Sequence, residues 1–213
     1  MKGFLVCVVV IFGSLLLAAD MAGGGFMAGY FQVSLDAVNE TFGTNLETPS
    51  FAFGGSSFTK WKGKVLFLDV ISGGEGYGVY TADNTARFSG GLGYAYIGLL
   101  LKIGNLGFDA LAGIGGAGFT FLKDVTGEDT LSATDISENG NVTHIQLNGL
   151  PAVFGADVTF DITDNLQFFV GARYNLWLWK QEWTSPFDQK VAGFDFDPLM
   201  PQVYVTGIRF GRF

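Results

Sequence analysis

Between Asn165 and Trp179, apolar residues recur at every second position. One parity holds Leu166, Phe168, Val170, Ala172, Tyr174, Leu176 and Leu178. The other parity includes Asn165, Gln167, Gly171, Arg173 and Asn175. A period of two over fifteen residues predicts a β-strand. An apolar face of that length, backed by Arg and Asn, is the pattern of a strand that crosses a membrane, with lipid on one side and a polar lumen on the other.

The N-terminus has the order of a secretory signal peptide. Met1-Lys2 supplies a positive charge, an apolar run extends from Phe4 to Leu17, and the small residues Ala18-Ala19 follow. We expect cleavage after Ala19, which divides the chain into a signal peptide at 1–19 and one domain at 20–213. An uncleaved anchor helix is the alternative, but the run is short for a membrane span of about 20 residues.

Charge and cysteine content narrow the classes of function. Without residues 1–19 the chain carries 11 Lys+Arg against 20 Asp+Glu, a formal charge of −9. This argues against a nucleic-acid partner, because nucleic acids select basic surfaces. Cys7 is the one cysteine and lies in the signal peptide, so we expect neither a disulfide nor thiol chemistry. We expect no cofactor and no metal centre.

The remaining sequence divides into eight alternating segments. Tight turns are expected at 61–64, 104–107 and 162–165, and longer or more polar loops at 36–48, 81–85, 124–143 and 182–197. The strands between them cover 24–35, 49–60, 65–80, 86–103, 108–123, 144–161, 166–181 and 198–213. Every tight turn then falls at one end and every longer loop at the other. The fold class predicted is all-β, an eight-stranded antiparallel up-and-down transmembrane β-barrel.

The chain resembles the small eight-stranded outer-membrane β-barrel proteins, such as the transmembrane domain of OmpA, OmpX and OmpW. The resemblance rests on Met1–Ala19, the turn Asp161–Asn165, the strand Leu166–Trp179 and the terminal Phe213. It implies location in the bacterial outer membrane, contact with outer-membrane lipid, and insertion by the barrel-assembly machinery, with Phe213 as assembly signal.

The C-terminus departs from this family in its parity. Apolar residues of the family share parity with the terminal phenylalanine, whereas here Gly207, Arg209 and Gly211 do. A one-residue bulge at Gly211 would reconcile the two patterns. Without the bulge, Arg209 is expected to face lipid, at a cost of about 2–4 kcal/mol at the midplane.

An eight-stranded barrel is just wide enough to be filled by side chains. Charges inside it must pair, because burying an unpaired charge is costly. We expect Arg173 and Arg87 to bridge to Asp157, Asp109 or Asp69, either as a structural plug or as a gated polar path for a solute. The candidate lumen residues are Asp69, Glu75, Arg87, Asp109, Asp157, Gln167, Arg173 and Asn175.

The motif Gly-Gly-X-Gly occurs three times, at 73–76, 90–93 and 115–118. A nucleotide-binding loop needs a strand before it and a helix after it, and no helical pattern follows any of the three motifs. Pairing the strands about their connections places Gly74 near Leu92 and Gly93 near Gly118. We therefore expect a belt of glycines at one height, which helps a small barrel to bend and close. A small lumenal cavity at that height is the alternative.

Aromatic and acidic residues mark the ends of the barrel. We expect Trp61 at a periplasmic turn, and Trp177, Trp179 and Trp183 at the outer end, to anchor the two membrane interfaces. Acidic residues dominate the outer loops 124–143 and 182–197, against a single Lys190. A solvated repulsive surface is one interpretation, and binding of divalent cations, with bridging to surface polysaccharide, is another.

Three functions and one rival fold stay open at this point. A non-enzymatic barrel with a structural or surface-interaction role predicts a packed lumen. A narrow channel or transporter for small apolar or amphiphilic solutes predicts a continuous cavity. A lipid-modifying enzyme requires His144 next to a serine or acid such as Ser132, Ser137, Asp135 or Glu138. A soluble lipocalin-like barrel would place apolar residues inside and Arg173 in water.

Overall fold

A computed structural model describes residues 19–124 and 142–212, and the expected signal peptide and Phe213 lie outside this part. The described part contains eight strands and one short helix, α1, at Asp36–Phe42. The strands are β1 Ala19–Tyr30, β2 Phe51–Val65, β3 Leu68–Ala82, β4 Ala86–Ile103, β5 Leu106–Asp124, β6 Val142–Thr163, β7 Leu166–Lys180 and β8 Gln202–Gly211.

The eight strands form one closed antiparallel barrel in chain order, with β1 paired to both β2 and β8. The fold class predicted from the alternation is therefore confirmed. A path along the paired residues leaves β5 at Leu106, crosses every strand, and returns to β5 at Gly116, ten residues further on. Such an offset requires strongly tilted strands, typically at about 35–45° to the barrel axis.

Burial follows the alternation along the strands. On β7, Phe168, Val170 and Tyr174 are exposed on the outer wall, whereas Gln167 and Arg173 are buried inside. The outer wall of β6 and β8 is also apolar, with Phe154, Val158, Phe160, Tyr204, Ile208 and Phe210 exposed. This arrangement is the reverse of a soluble lipocalin-like barrel, so that alternative is wrong.

Two local predictions fail at the periplasmic end and in the first outer loop. The tight turn expected at 61–64 lies instead at Leu66-Phe67, between β2 and β3, with Leu66 at φ 62°. The pairing of β2 with β3 shifts register between Trp61 and Lys64, so this stretch is an irregular part of the strand. The loop expected at 36–48 begins with α1, which ends at Gly43 in the left-handed conformation. Among the described residues, no helix is long and apolar enough to span a membrane.

The glycine belt exists, in a different register from the predicted one. Gly74 pairs with Ala95 and Gly93 with Gly116, so the predicted pairs are displaced by three and two residues. One row of outward-facing glycines crosses four strands, through Gly55, Gly76, Gly93 and Gly116. Along this row the outer wall therefore carries no side chains.

The first glycine of each motif faces inward, and in the first two motifs it makes room for a ring. A Cβ atom on Gly73 would lie 2.5 Å from the Tyr96 hydroxyl, and one on Gly90 would lie 2.2 Å from Cδ1 of Phe119. Aromatic side chains that fill the interior can lie against the wall only where the facing residue has no side chain.

Candidate functional site

Arg173 of β7 is the centre of a cluster of charges in the lumen, and it is only 1% exposed. Its Nη2 donates to Glu75 Oε1 at 2.7 Å and its Nε to Glu75 Oε2 at 2.8 Å. Toward the other side, Nη1 and Nη2 donate to the two oxygens of Asp157 at 2.5 and 3.0 Å. A guanidinium that binds two carboxylates in this forked geometry is held firmly in place.

Arg209 of β8 is the second cation of the cluster, with no measurable exposure. Its Nη2 lies 3.3 Å from Glu75 Oε1 and 3.4 Å from Asp157 Oδ2, and its Nη1 lies 3.9 Å from Asp109 Oδ2. The guanidinium also sits over the ring of Phe169, with Cζ 4.0 Å from the centroid. We call Glu75, Asp109, Asp157, Arg173 and Arg209 the lumenal charge cluster.

Neutral polar groups extend the cluster toward both ends of the barrel. Asn175 donates to the Tyr77 hydroxyl at 3.2 Å and to the Met200 carbonyl at 2.8 Å. Gln167 accepts from Arg209 at 3.3 Å and donates to Asp161 at 2.8 Å. Tyr94 donates to Glu75 and accepts from Arg173. The interior is thus a connected network, in which each side chain fixes its neighbours.

The structure brings together most of the candidate lumen residues. Glu75, Asp109, Asp157, Gln167, Arg173 and Asn175 are buried in the interior. Asp69 lies nearer the periplasmic end, where Lys60 is 3.5 Å from its carboxylate.

Arg87 is the correction. It lies at the outer end of β4 with its side chain exposed on the outward parity, between the buried Ala86 and Phe88. The expected bridge from Arg87 to a lumenal aspartate is therefore wrong.

Arg209 takes the place that Arg87 was expected to hold. The pairing of β8 with β1 runs from Tyr204 to Gly211 without a register shift, so the described part of β8 contains no bulge. Tyr204, Ile208 and Phe210 face outward and Arg209 faces the lumen. The expectation that Arg209 would face lipid without a bulge is wrong. The sequence contained the information needed to place Arg209, because Tyr204, Ile208 and Phe210 share the opposite parity. This apolar pattern outweighs the parity of the terminal phenylalanine.

A second layer closes the barrel above the charges, toward the outer end. Rings from the segment 181–201 pack against rings at the outer ends of β4 and β5 and on α1. Trp183 stacks on Phe196 with centroids 6.1 Å apart, and Phe42 lies 4.6 Å from Phe121. We call Phe42, Phe88, Phe121, Trp183, Phe194 and Phe196 the aromatic plug. Ring pairs at these distances add to the stabilisation from burial.

Two of the four tryptophans predicted as interface anchors, Trp177 and Trp183, turn into the barrel. Trp183 is buried in the plug and donates through Nε1 to the Phe196 carbonyl at 2.7 Å, so it is not an interface anchor. Trp177 turns inward at the mouth and donates to Asp197 at 3.0 Å. Trp179 is exposed at the outer end, next to a register shift in β6. Trp61 lies within β2 and donates to Ser72 at 2.7 Å.

Hydrogen bonds tie the outer segments to the barrel rim. Asp83, between β3 and β4, accepts from the backbone amides of Asn45, Thr85 and Ala86 at 2.6–3.1 Å. Burial of this carboxyl acts to raise its pKa, but the donated hydrogen bonds outweigh burial and lower the pKa below its usual value. Lys123 donates to the Phe42 carbonyl at the end of α1.

A groove of about 740 Å³ lies in the wall beside Gly73 and Gly74 of the first glycine motif. Its lining includes Ser57, Thr59, Trp61, Ser72 and Ile97. Behind it, the Tyr96 hydroxyl donates to the Ser57 carbonyl at 2.9 Å and closes the wall toward the lumen. The space near the glycine belt therefore lies on the outer wall. The alternative prediction had placed a cavity in the lumen instead.

Some predicted sites fall outside the described residues. The acidic loop and the serines proposed as partners of His144 lie mostly within 125–141. His144 itself belongs to β6 and pairs with Leu122. In the outer segment 181–201, Lys190 lies 2.8 Å from Glu182, and both side chains are well exposed. Among the described residues, no group of His, Cys, Asp and Glu has the geometry of a metal site.

Closure in chain order, an apolar outer wall and a charged interior define an integral β-barrel of the outer-membrane class. The short turns at 66–67, 104–105 and 164–165 lie at one end, opposite the longer segments. The resemblance to small eight-stranded outer-membrane barrels is confirmed at the level of the fold.

Solved structures of the same size show a distant likeness. Ail, the attachment invasion locus protein of Yersinia pestis, is 13% identical, with a TM-score of 0.46 over 90% of this chain and 95% of that chain. The structure of Ail with the heparin analogue sucrose octasulfate gives 11% identity and a TM-score of 0.49 over 90% and 96%. OprG from Pseudomonas aeruginosa gives 14% and 0.42 over 90% and 94%. No protein-family model and no curated protein matches the sequence. At these values the likeness says nothing about function.

Proposed function

We propose that this protein is a non-enzymatic outer-membrane barrel with a closed lumen, which stabilises the envelope and presents its outer segments at the cell surface. The observation that carries the proposal is that two successive layers fill the interior. The lumenal charge cluster occupies the lower layer, and the aromatic plug occupies the layer above it.

Each layer opposes the passage of solutes for its own physical reason. An ion moving through the charge cluster would have to break ion pairs that lie away from water, where an unpaired charge is costly. A hydrated solute would have to displace the packed rings above. The space bordered by Phe31, Tyr77, Leu92 and Phe119 is too narrow to admit a water molecule.

The partners proposed for this barrel follow from its surfaces. The exposed apolar wall fits the hydrocarbon of outer-membrane lipid. Insertion by the barrel-assembly machinery, with Phe213 as the assembly signal, is part of the same proposal. Exposed acids of the segment 181–201, such as Asp188 and Asp195, support contact with divalent cations or, through them, with surface polysaccharide. No interaction with nucleic acid is proposed.

Purified, refolded protein in planar bilayers tests the closed lumen. Heat-modifiable migration in gel electrophoresis on the same sample shows that the barrel has folded. We expect folded protein without discrete conductance. Discrete conductance that changes in Arg173→Ala would replace this function with transport.

The groove of the outer wall favours a second candidate, a transporter that takes small apolar molecules laterally from the membrane. Its apolar lining and the thin glycine-rich wall beside it support this function. The candidate requires the Tyr96–Ser57 hydrogen bond to open. Vesicles loaded with an apolar dye distinguish the two functions, since a closed barrel does not accelerate exchange of the dye and a lateral transporter does.

A further inference from the structure

The lumenal charge cluster contains three carboxylates and only two guanidiniums. Glu75 on β3, Asp109 on β5 and Asp157 on β6 face Arg173 on β7 and Arg209 on β8. All five side chains are at most 5% exposed, so water does not reach the cluster to solvate a charge that has no partner. One carboxylate is therefore left without a counter-charge from the cluster.

The contacts identify Asp109 as the spare carboxyl. Glu75 and Asp157 both accept short hydrogen bonds from Arg173, at 2.5–3.0 Å. Asp109 has only Arg209 beside it, at 3.9 Å, and its Oδ1 has no hydrogen-bond partner. The charges of Asp157, Arg173 and Glu75 also act on Asp109, and the Tyr96 hydroxyl of β4 faces it as well.

The register places Asp109 in an unfavourable position for a second anion. Asp109 and Asp157 are directly paired on β5 and β6, and both side chains face inward. Like charges directly opposite on neighbouring strands repel each other. The repulsion is stronger in a buried site, because the effective dielectric constant is lower there.

We propose that Asp109 is a proton-binding site of the lumen, and that the folded barrel holds a proton on this carboxyl at neutral pH. With this proton the cluster contains two negative and two positive charges. A neutral carboxyl without a partner costs far less than a carboxylate in the same place. A metal ion would be repelled by the Arg209 guanidinium, whereas a proton removes the charge of Asp109 without occupying space.

Infrared spectroscopy of refolded barrel, with aspartate labelled by ¹³C at the side-chain carboxyl, tests the proposal directly. At pH 7 we expect the carbonyl stretch of one protonated carboxyl in the wild-type protein. The stretch is expected to be lost in Asp109→Asn and kept in Asp195→Asn, which changes an exposed aspartate. Absence of the stretch in the wild-type protein, or its persistence in Asp109→Asn, would overturn the proposal.

Unfolding in urea gives an independent readout with a matched pair of variants. Asp109→Asn replaces a neutral carboxyl by a neutral amide of the same shape, so we expect its urea midpoint to equal that of the wild type at pH 7. Asp157→Asn removes a charged acceptor of both arginines and is expected to lower the midpoint or to prevent refolding. Equal loss in the two variants would show that Asp109 is a charged partner of Arg209 and would contradict the proposal.

Discussion

The two layers that fill this barrel are built from different parts of the chain and held by different forces. The lumenal charge cluster is made by side chains of five strands, and hydrogen bonds between charged groups fix its geometry. The aromatic plug joins α1 and the segment 181–201 to the strand ends, and is held mainly by apolar packing. The lower layer belongs to the wall itself, and we expect that the upper layer can loosen while the barrel stays closed.

The largest effect is expected in the charge cluster. Arg173→Ala leaves Glu75 and Asp157 without their main cation, and breaking one side of a buried pair costs about 3–5 kcal/mol. Urea unfolding of protein reconstituted in vesicles measures the loss. Arg87→Ala changes an exposed arginine of the same barrel and should stay within about 0.5 kcal/mol of the wild type. Equal stability of the two variants would show that the cluster does not hold the barrel.

Trp183→Ala tests the independence of the plug. Removing a buried tryptophan costs about 3 kcal/mol, and the loss should be local to the segment 181–201. Limited proteolysis is expected to cleave this segment faster, while heat-modifiable migration is unchanged. The control is Trp179→Ala, because Trp179 is exposed and outside the plug. Loss of barrel folding in Trp183→Ala would show that the two layers form one cooperative unit.

Two neighbouring glycines distinguish the inner from the outer side of the wall. A Cβ atom on Gly115 would lie 2.0 Å from the Gly93 carbonyl oxygen, whereas a Cβ atom on Gly116 meets nothing within 4 Å. Gly115→Ala is expected to cost about 1–3 kcal/mol by overpacking. Gly116→Ala should change stability by less than about 0.5 kcal/mol. Urea midpoints in vesicles measure both, and the reverse order would contradict the assigned register.

The smallest effect concerns the tie between the first outer segment and the rim. The pKa of Asp83 is lower in the folded protein, so its stabilisation is complete above the ordinary aspartate value of about 3.9 and is lost as the pH falls below it. Proteolysis within 31–50 by an acid-active protease should therefore accelerate below that pH. In Asp83→Ala the rate of proteolysis should not show this acceleration at low pH. If the acceleration is retained, another titrating group causes it.

The sequence predicts the lower layer far better than the upper one. Strand alternation places Glu75, Asp109, Asp157 and Arg173 on the inner face before any contact is known, because a strand has a fixed period of two. Arg209 escaped this reasoning because the terminal phenylalanine suggested the opposite parity. The plug has no such period, since the position of Trp183 depends on how a long segment folds back into the mouth.

Turns show the same limit on a smaller scale. The turn at 104–105 consists of glycine and asparagine, which favour turns. The turn at Leu66-Phe67 consists of two apolar residues, and a leucine at positive φ is uncommon. Lys62-Gly63-Lys64, two residues earlier, has the composition of a turn but lies in the irregular part of β2. The turn was therefore predicted in the wrong place because the prediction rested on composition alone.

Single-channel recording of one set of variants tests most directly whether two layers in series close the lumen. Glu75→Ala/Arg173→Ala removes a charge pair without changing the net charge, and Trp183→Ala opens the plug. We predict that the wild type and each layer variant stay silent, and that the combined variant conducts discretely. Discrete channels in the folded wild-type protein would contradict the closed lumen.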